Sequence, residues 1–241
     1  MIKALSSVGV IGGADGPTAV FVSVGGFPWQ ALLWLGLSAV LAYLLGSVDF
    51  GILVSKYLYH DDIRNHGSGN AGSTNILRTF GKKAALLTVV GDIGKGAVAT
   101  VLGRFLLSHF VHESFGVYGA YLAAFCAVCG HLWPIWFKFK GGKGVATAAG
   151  AILATAPALI LPLAAVFFTT FFITRMVSLS SVLAAVAYPI FTALWSWYRG
   201  YDVLFTTCCA LVMAALVIWM HRSNIKRIRN GTEYRFSKKE K

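Results

Sequence analysis

Charge is scarce in this chain. Of its 241 residues, 12% are charged while 57% are hydrophobic, and the mean hydropathy is +0.69. Soluble domains carry about a quarter charged residues, so that class is excluded. Acids are scarcer still, nine against 21 Lys and Arg. Cysteine is limited to four residues, Cys126 and Cys129 in one apolar stretch and Cys208 and Cys209 in another. A metal or redox centre would need His or carboxylate partners beside them, and only His131 is near. Small packing residues are expected there, with no metal site and no cofactor. No internal repeat, low-complexity tract or separate soluble domain is visible. Residues 1–27 are Gly-rich and lack the compact apolar core and cleavage site of a secretory signal.

Long apolar runs take up most of what is there. A helical bilayer span needs about 20 mostly apolar residues, somewhat fewer inside a bundle. Seven stretches qualify, roughly 29–58, 84–107, 117–137, 145–156, 158–173, 178–197 and 203–221. Ala156-Pro157 divides the fourth from the fifth as a tight turn or as a kink in one long helix, so five or six spans is the alternative count. With seven, sixteen of the 21 Lys and Arg fall on one side, after spans one, three and five and in the tail. By the positive-inside rule that side is cytoplasmic. The fold class expected is therefore all-α: a polytopic protein of seven transmembrane helices, N-terminus outside and C-terminus cytoplasmic. Residues 1–27 read as a non-catalytic N-terminal extension and 28–241 as the membrane domain. The net charge of +12 then serves topology and attraction to anionic lipid or substrate, and nucleic acid is not an expected partner.

The connectors on the basic side hold chemistry. Lys138-Phe139-Lys140-Gly141-Gly142-Lys143-Gly144-Val145-Ala146-Thr147 joins glycines, whose backbone can fold N–H groups around an anion, to lysines that neutralise it. A topology loop would need the lysines but not the glycines. The first connector carries Gly67 and Gly69, which permit positive φ, the neutral donors Ser68, Asn70, Thr74 and Asn75, and the bidentate phosphate binders Arg64 and Arg78. Its bland alternative is a polar linker capping the next helix. Further along, Arg175 and Ser178 stand at the start of span six, where Ser178 is expected to cap the helix and turn its N–H groups to the site. In the tail, His221 and Asn224 share a face if the last helix continues, suited to proton transfer and orientation. On that segment alone, a basic tail binding anionic headgroups is an equal reading. Asp92 and Lys95, inside span two, are spaced to pair. Together these elements point to a membrane-embedded site for a phosphorylated small molecule.

The segments in sequence resemble the bacterial membrane glycerol-3-phosphate acyltransferases that use acyl phosphate as donor, the Y-type enzymes of phosphatidic acid synthesis. The match runs through Asp62-Ile63-Arg64, Gly67-Ser68-Gly69-Asn70, Thr74-Asn75, Arg78 to Lys83, Asp92, Lys95-Gly96, His131, Pro134, Lys140 to Thr147, Arg175, Ser178, His221, Asn224, Arg227 and Glu233, covering about 30 to 236. The resemblance implies transfer of an acyl chain from acyl phosphate to the 1-hydroxyl of sn-glycerol 3-phosphate, giving lysophosphatidic acid and phosphate at the bacterial cell membrane. It implies that Ser68 and Arg78 contact substrate phosphates, that Gly141, Gly142 and Gly144 form a phosphate loop, and that Lys143 holds phosphate charge. It makes His221 and Asn224 an active-site pair and Glu233 a structural acid. Gly67, Gly69, Asn70, Thr74, Asn75, Thr147, Arg175 and Ser178 would line the substrates. Acyl phosphate is already activated, so neither metal nor cofactor is called for.

The other large acyltransferase group carries His followed by four residues and Asp. None of the six histidines here has Asp at that spacing. Asp49, near the end of span one, departs from the family pattern; facing in it would weaken an anion site, facing out it would cap locally. Val10 to Phe21 resembles a short signature of sodium-pumping decarboxylase β-subunits, too little to build a pump. The competing class is a transporter or scramblase for phosphorylated solutes or lipids, which should show paired inverted repeats or broken helices. Oligomeric state is not encoded legibly, and a monomer is compatible with the reading.

Overall fold

The computed structural model describes residues 6–13, 16–24 and 28–236. Ala14 and Asp15 of the decarboxylase-like signature lie outside the described residues, as do Lys3, Lys238, Lys239 and Lys241 of the charge count. The described part of the extension is an antiparallel hairpin, β1 (Ser6–Gly13) with β2 (Gly16–Val24), Ser6 opposite Val24. This is the single departure from the all-α expectation among the described residues.

From residue 28 onward the chain is helical. The first crossing runs from Trp29 to Tyr59 as α1 (Trp29–Gly46) and α2 (Phe50–Tyr59). The break between them is fixed by Asp49, whose side chain accepts from Ile52 N and caps α2. Thus Asp49 does cap locally, yet it is fully buried. The third helix, α3 (Ser73–Phe110), is 38 residues long and bends at Gly81, whose φ of 85° only glycine adopts cheaply. Residues Ser73 to Phe80, read from sequence as loop, are helical. Apolar periodicity there was hidden by polar residues that face the site.

Helix α4 (Gly116–Leu132) ends at Trp133, and α5 (Val145–Thr155) follows the glycine–lysine loop. Non-helical backbone at Ala156 makes α5 and α6 (Ile160–Thr174) separate helices rather than one kinked one. Then come α7 (Val177–Arg199), α8 (Val203–Met220) and the short basic α9 (Arg222–Arg229). Six of these segments are long and apolar enough to cross a membrane, and α5 is an eleven-residue apolar helix beside them. Leu161, Ile173 and Trp197 are 79%, 77% and 76% exposed, as side chains facing lipid tails would be.

Close approach of backbones sets the bundle. Hydrophobic driving force is weak between helices in lipid, and small residues let van der Waals contact replace it. A Cβ on Gly96 would run into Thr147 O, and one on Gly150 into Ile93 O. These two contacts clamp α5 to α3, which places the start of α5 beside Asp92 and Lys95. On the other side Leu132, Ile152, Leu163, Tyr188 and Met213 form the largest apolar core cluster, from α4 through α8.

Candidate active site

The first connector is stapled into one shape. Asn75, at the start of α3, accepts from Ser68 N at 3.2 Å and donates to His66 O at 2.9 Å and Asn70 O at 3.0 Å. Gly67 and Gly69 take φ of 56° and 70°, which turns the backbone around this side chain. Arg64 is spent on structure rather than anions: it grips Asp62 through Nε and Nη2 and donates to Phe137 O at 2.9 Å. That guanidinium holds Asp62 down to about 2. Asn70 donates to Gly141 O at 3.3 Å, so the first connector and the glycine–lysine loop form one floor.

The second loop corrects the cradle expectation. Gly141 N donates to Leu132 O and Gly142 N to His131 O, so neither N–H faces an anion. Lys138 and Phe139 adopt left-handed φ of 59° and 57°, a strained pair of non-glycine residues that reverses the chain after Pro134. Gly144, at φ 83°, opens α5. The anion donors this leaves are the first-turn N–H groups of α5, unsatisfied within the helix, together with Lys143.

The tail supplies the third wall. Lys143 Nζ donates to Asn224 Oδ1 at 2.5 Å, and Asn224 Nδ2 donates to Glu233 Oε1 at 2.6 Å. Ser178 Oγ donates to the same oxygen at 2.6 Å, and Arg227 Nε to Glu233 Oε2 at 2.7 Å. Ser178 therefore does not cap α7, whose N-cap position is Met176 with no side-chain cap. Burial works against the Glu233 charge, but the bonds from Ser178, Asn224 and Arg227 outweigh it and keep its pKa below the usual value. Its ion pair is with Arg227, three residues after Asn224. The helix does not run straight through His221; it turns there between α8 and α9, yet both His221 and Asn224 are buried at the site.

Two titrations follow from this packing. Burial pushes Lys143 down to about 8, and burial also pushes His221 down to about 4. His221 Nδ1 lies 2.8 Å from Val217 O, so Nδ1–H donates to the carbonyl and Nε2 carries the lone pair. Arg78 sits 4.0 Å over the ring of Tyr234, whose segment is tied down by Phe236 N donating to Arg175 O.

These groups surround a cavity of about 990 Å³. Its polar end is lined by Ser68, Asn70, Thr74, Arg78, Lys143, His221, Asn224 and Arg227; its apolar end by Ile152, Leu163, Phe167, Ala184, Tyr188 and Met213. Gly67, Asn75, Gly144, Ser178, Asp92 and Glu233 also line it, while Gly69, Gly141, Gly142, Thr147, Arg175 and Lys95 do not. Thr147 is buried behind the wall, and Arg175 ends α6 in a left-handed turn. Sequence reasoning assigned no role to Arg227, Tyr234 or His131 at the cavity. The first and third stood in the matched motifs, whereas nothing marked Tyr234. Among the described residues no group of three or more His, Cys, Asp or Glu is arranged to hold a metal.

A family model for glycerol-3-phosphate acyltransferase matches residues 36–231. This chain belongs to that family. A glycerol-3-phosphate acyltransferase of Clostridioides difficile (strain 630) is 45% identical over 204 residues, covering 83% of this chain and 95% of that protein. One from Thermoanaerobacter sp. (strain X514) is 39% identical over 203 residues, covering 84% and 96%. The chain is also similar to the crystal structure of PlsY (YgiH), an integral membrane glycerol 3-phosphate acyltransferase, in its glycerol 3-phosphate form. There the TM-score is 0.72 at 36% identity, over 86% of this chain and 96% of that one. As a member of the glycerol-3-phosphate acyltransferase family, the protein is a multi-pass membrane enzyme of phospholipid synthesis, and the transporter reading is set aside.

Proposed function

We propose that the cavity transfers an acyl chain from an acyl phosphate to the 1-hydroxyl of sn-glycerol 3-phosphate. The observation that carries this is the two-ended lining of one cavity: a cationic rim of Arg78, Lys143 and Arg227 beside the first turn of α5, above an apolar barrel. The barrel takes the acyl chain, and the rim takes phosphate. Two anionic substrates repel each other, and fixed cations with oriented N–H groups offset that repulsion and bring hydroxyl and carbonyl together.

In the step itself the hydroxyl oxygen bonds to the acyl carbon, the acyl C–O bond to phosphate breaks, and inorganic phosphate leaves. The hydroxyl proton must end on a base. At about 4, His221 is weaker than a phosphate whose second pKa is about 6. The substrate phosphate is therefore the terminal acceptor, and His221 Nε2 orients the hydroxyl by accepting its hydrogen bond. Lys143 and Asn224 hold the phosphate end, and Glu233 fixes Asn224 and Arg227. We also place α5 as a seventh crossing, with the N-terminus outside, the C-terminus cytoplasmic, and residues 1–27 outside the catalytic domain 28–241.

Purified protein in lipid, given palmitoyl phosphate and labelled glycerol 3-phosphate without CoA or ATP, should form lysophosphatidate and release phosphate. No product, or product only when palmitoyl-CoA replaces palmitoyl phosphate, would overturn the donor assignment.

A further inference from the structure

Beneath the glycine–lysine loop lies a cluster of ionisable side chains that the reaction above does not use. Asp49, Asp92, Lys95 and His131 come from the first crossing, α3 and α4, and are 0%, 2%, 4% and 2% exposed. Ionisable groups at this depth are costly unless paired, and their presence points to function.

The geometry of Lys95 decides the state of His131. An ammonium has three N–H donors and no acceptor. Lys95 Nζ donates to Val48 O at 2.7 Å, is ion-paired with Asp92 Oδ1 at 2.8 Å, and lies 2.9 Å from His131 Nδ1. With no lone pair on the ammonium, the 2.9 Å contact requires that Nδ1 receive a hydrogen and carry none. An imidazolium would instead aim an N–H at an ammonium 2.9 Å away, with its nearest carboxylate oxygens at 3.5 Å on Asp92 and 4.0 Å on Asp49. His131 is thus neutral, with its proton on Nε2. That edge of the ring packs against Gly142, where a Cβ would collide with Nε2. His131 lines the same cavity as Lys143, and its Nε2–H has no acceptor among the described residues.

We infer that His131 is a further phosphate donor of this active site, a neutral imidazole whose Nε2–H Lys95 points at the anion bound beside Gly142 and Lys143. The inference rests on the phosphate site proposed above. It also gives a reason for the close approach of Gly142 to the ring, since any side chain there would push the donor away from the loop.

The test uses inorganic phosphate, the released product, as an inhibitor of the full-length protein in lipid. His131→Asn sets its amide nitrogen near the Nδ1 position and cannot reach as Nε2 does; His131→Gln reaches the Nε2 position with a donor. Hydrogen bonds to charged groups are worth about 1.5–3 kcal/mol, so Asn should raise the phosphate Ki by about tenfold or more. Gln should stay within about threefold of wild type, and both should shift Ki more than kcat. Equal Ki values in wild type and Asn, or equal losses in Asn and Gln, would overturn the inference. If neither variant folds, wild-type protein labelled with 15N-histidine decides: the His131 Nε2–H resonance shifts on phosphate titration, or the inference fails. Absence of any phosphate inhibition in wild type would instead remove the underlying site.

Discussion

Two histidines face the cavity, and they are held in opposite senses. His131 sits inside the bundle, where Lys95 occupies its Nδ1 and leaves Nε2–H to give. His221 sits at the edge, where Val217 O takes the Nδ1 proton and leaves Nε2 to accept. The surroundings differ as much as the polarity. The side chains of the Lys95–Asp92 pair are 1% and 2% exposed, and those of the Arg227–Glu233 pair near His221 are 41% and 6% exposed. The same side chain becomes donor or acceptor according to whether an ammonium or a carbonyl meets its Nδ1. The bundle fixes that choice with charge, the tail with neutral hydrogen bonds.

The comparison breaks most sharply at Lys95. Lys95→Met leaves Asp92 buried without its cation, and removing one partner of a buried pair costs about 3–5 kcal/mol. Thermal or denaturant unfolding in detergent should show this loss, and unchanged stability would mean the cluster is not held as described. At the other region, Lys143→Ala should lower kcat/KM by about 10–10²-fold, the worth of a hydrogen bond to a charged group, with the fold intact. The loss should fall chiefly on the glycerol 3-phosphate KM; wild-type kinetics would remove Lys143 from the site.

pH separates the groups further. Lys143, at about 8, loses its positive charge as pH rises, so kcat/KM should fall above about pH 8. Lys143→Arg, which stays charged, should move that limb to higher pH. His221, at about 4, stays neutral throughout the physiological range, so it should contribute no limb between about 5 and 8. A limb there that disappears in His221→Gln would contradict its assignment as an acceptor that does not titrate. The smallest effects lie in the tail. Tyr234→Leu removes the ring under Arg78, worth about 0.5–1 kcal/mol at an exposed site, and should cost less than about fivefold in kcat/KM.

Much of this was legible in the sequence. Apolar runs marked seven stretches, of which six are helices long enough to cross a membrane and the fourth is the short α5, ended at Ala156-Pro157. Lys143, His221, Asn224, Ser68 and Arg78 do line one cavity, since each stands on or beside a polar interruption on the same side of the apolar runs. What failed was local. Ser73 to Phe80 hid as loop because the face it turns to the cavity is polar. Gly141 and Gly142 looked like free anion donors, but composition cannot show that Leu132 and His131 carbonyls already take their N–H groups. Ser178 looked like a cap because nothing in the linear chain reveals that Glu233, 55 residues on, claims its hydroxyl. Asp49 and His131 were read apart because their meeting depends on how α4 packs against α1 and α3.

The opposed polarity of the two imidazoles is the central claim, and ring-nitrogen chemical shifts measure it directly. In protein labelled with 15N-histidine and reconstituted in lipid near neutral pH, His131→Gln and His221→Gln identify the two residues. His131 should show a protonated Nε2 and an unprotonated Nδ1, and His221 the reverse. The same tautomer at both positions, or an imidazolium at either, would contradict the account.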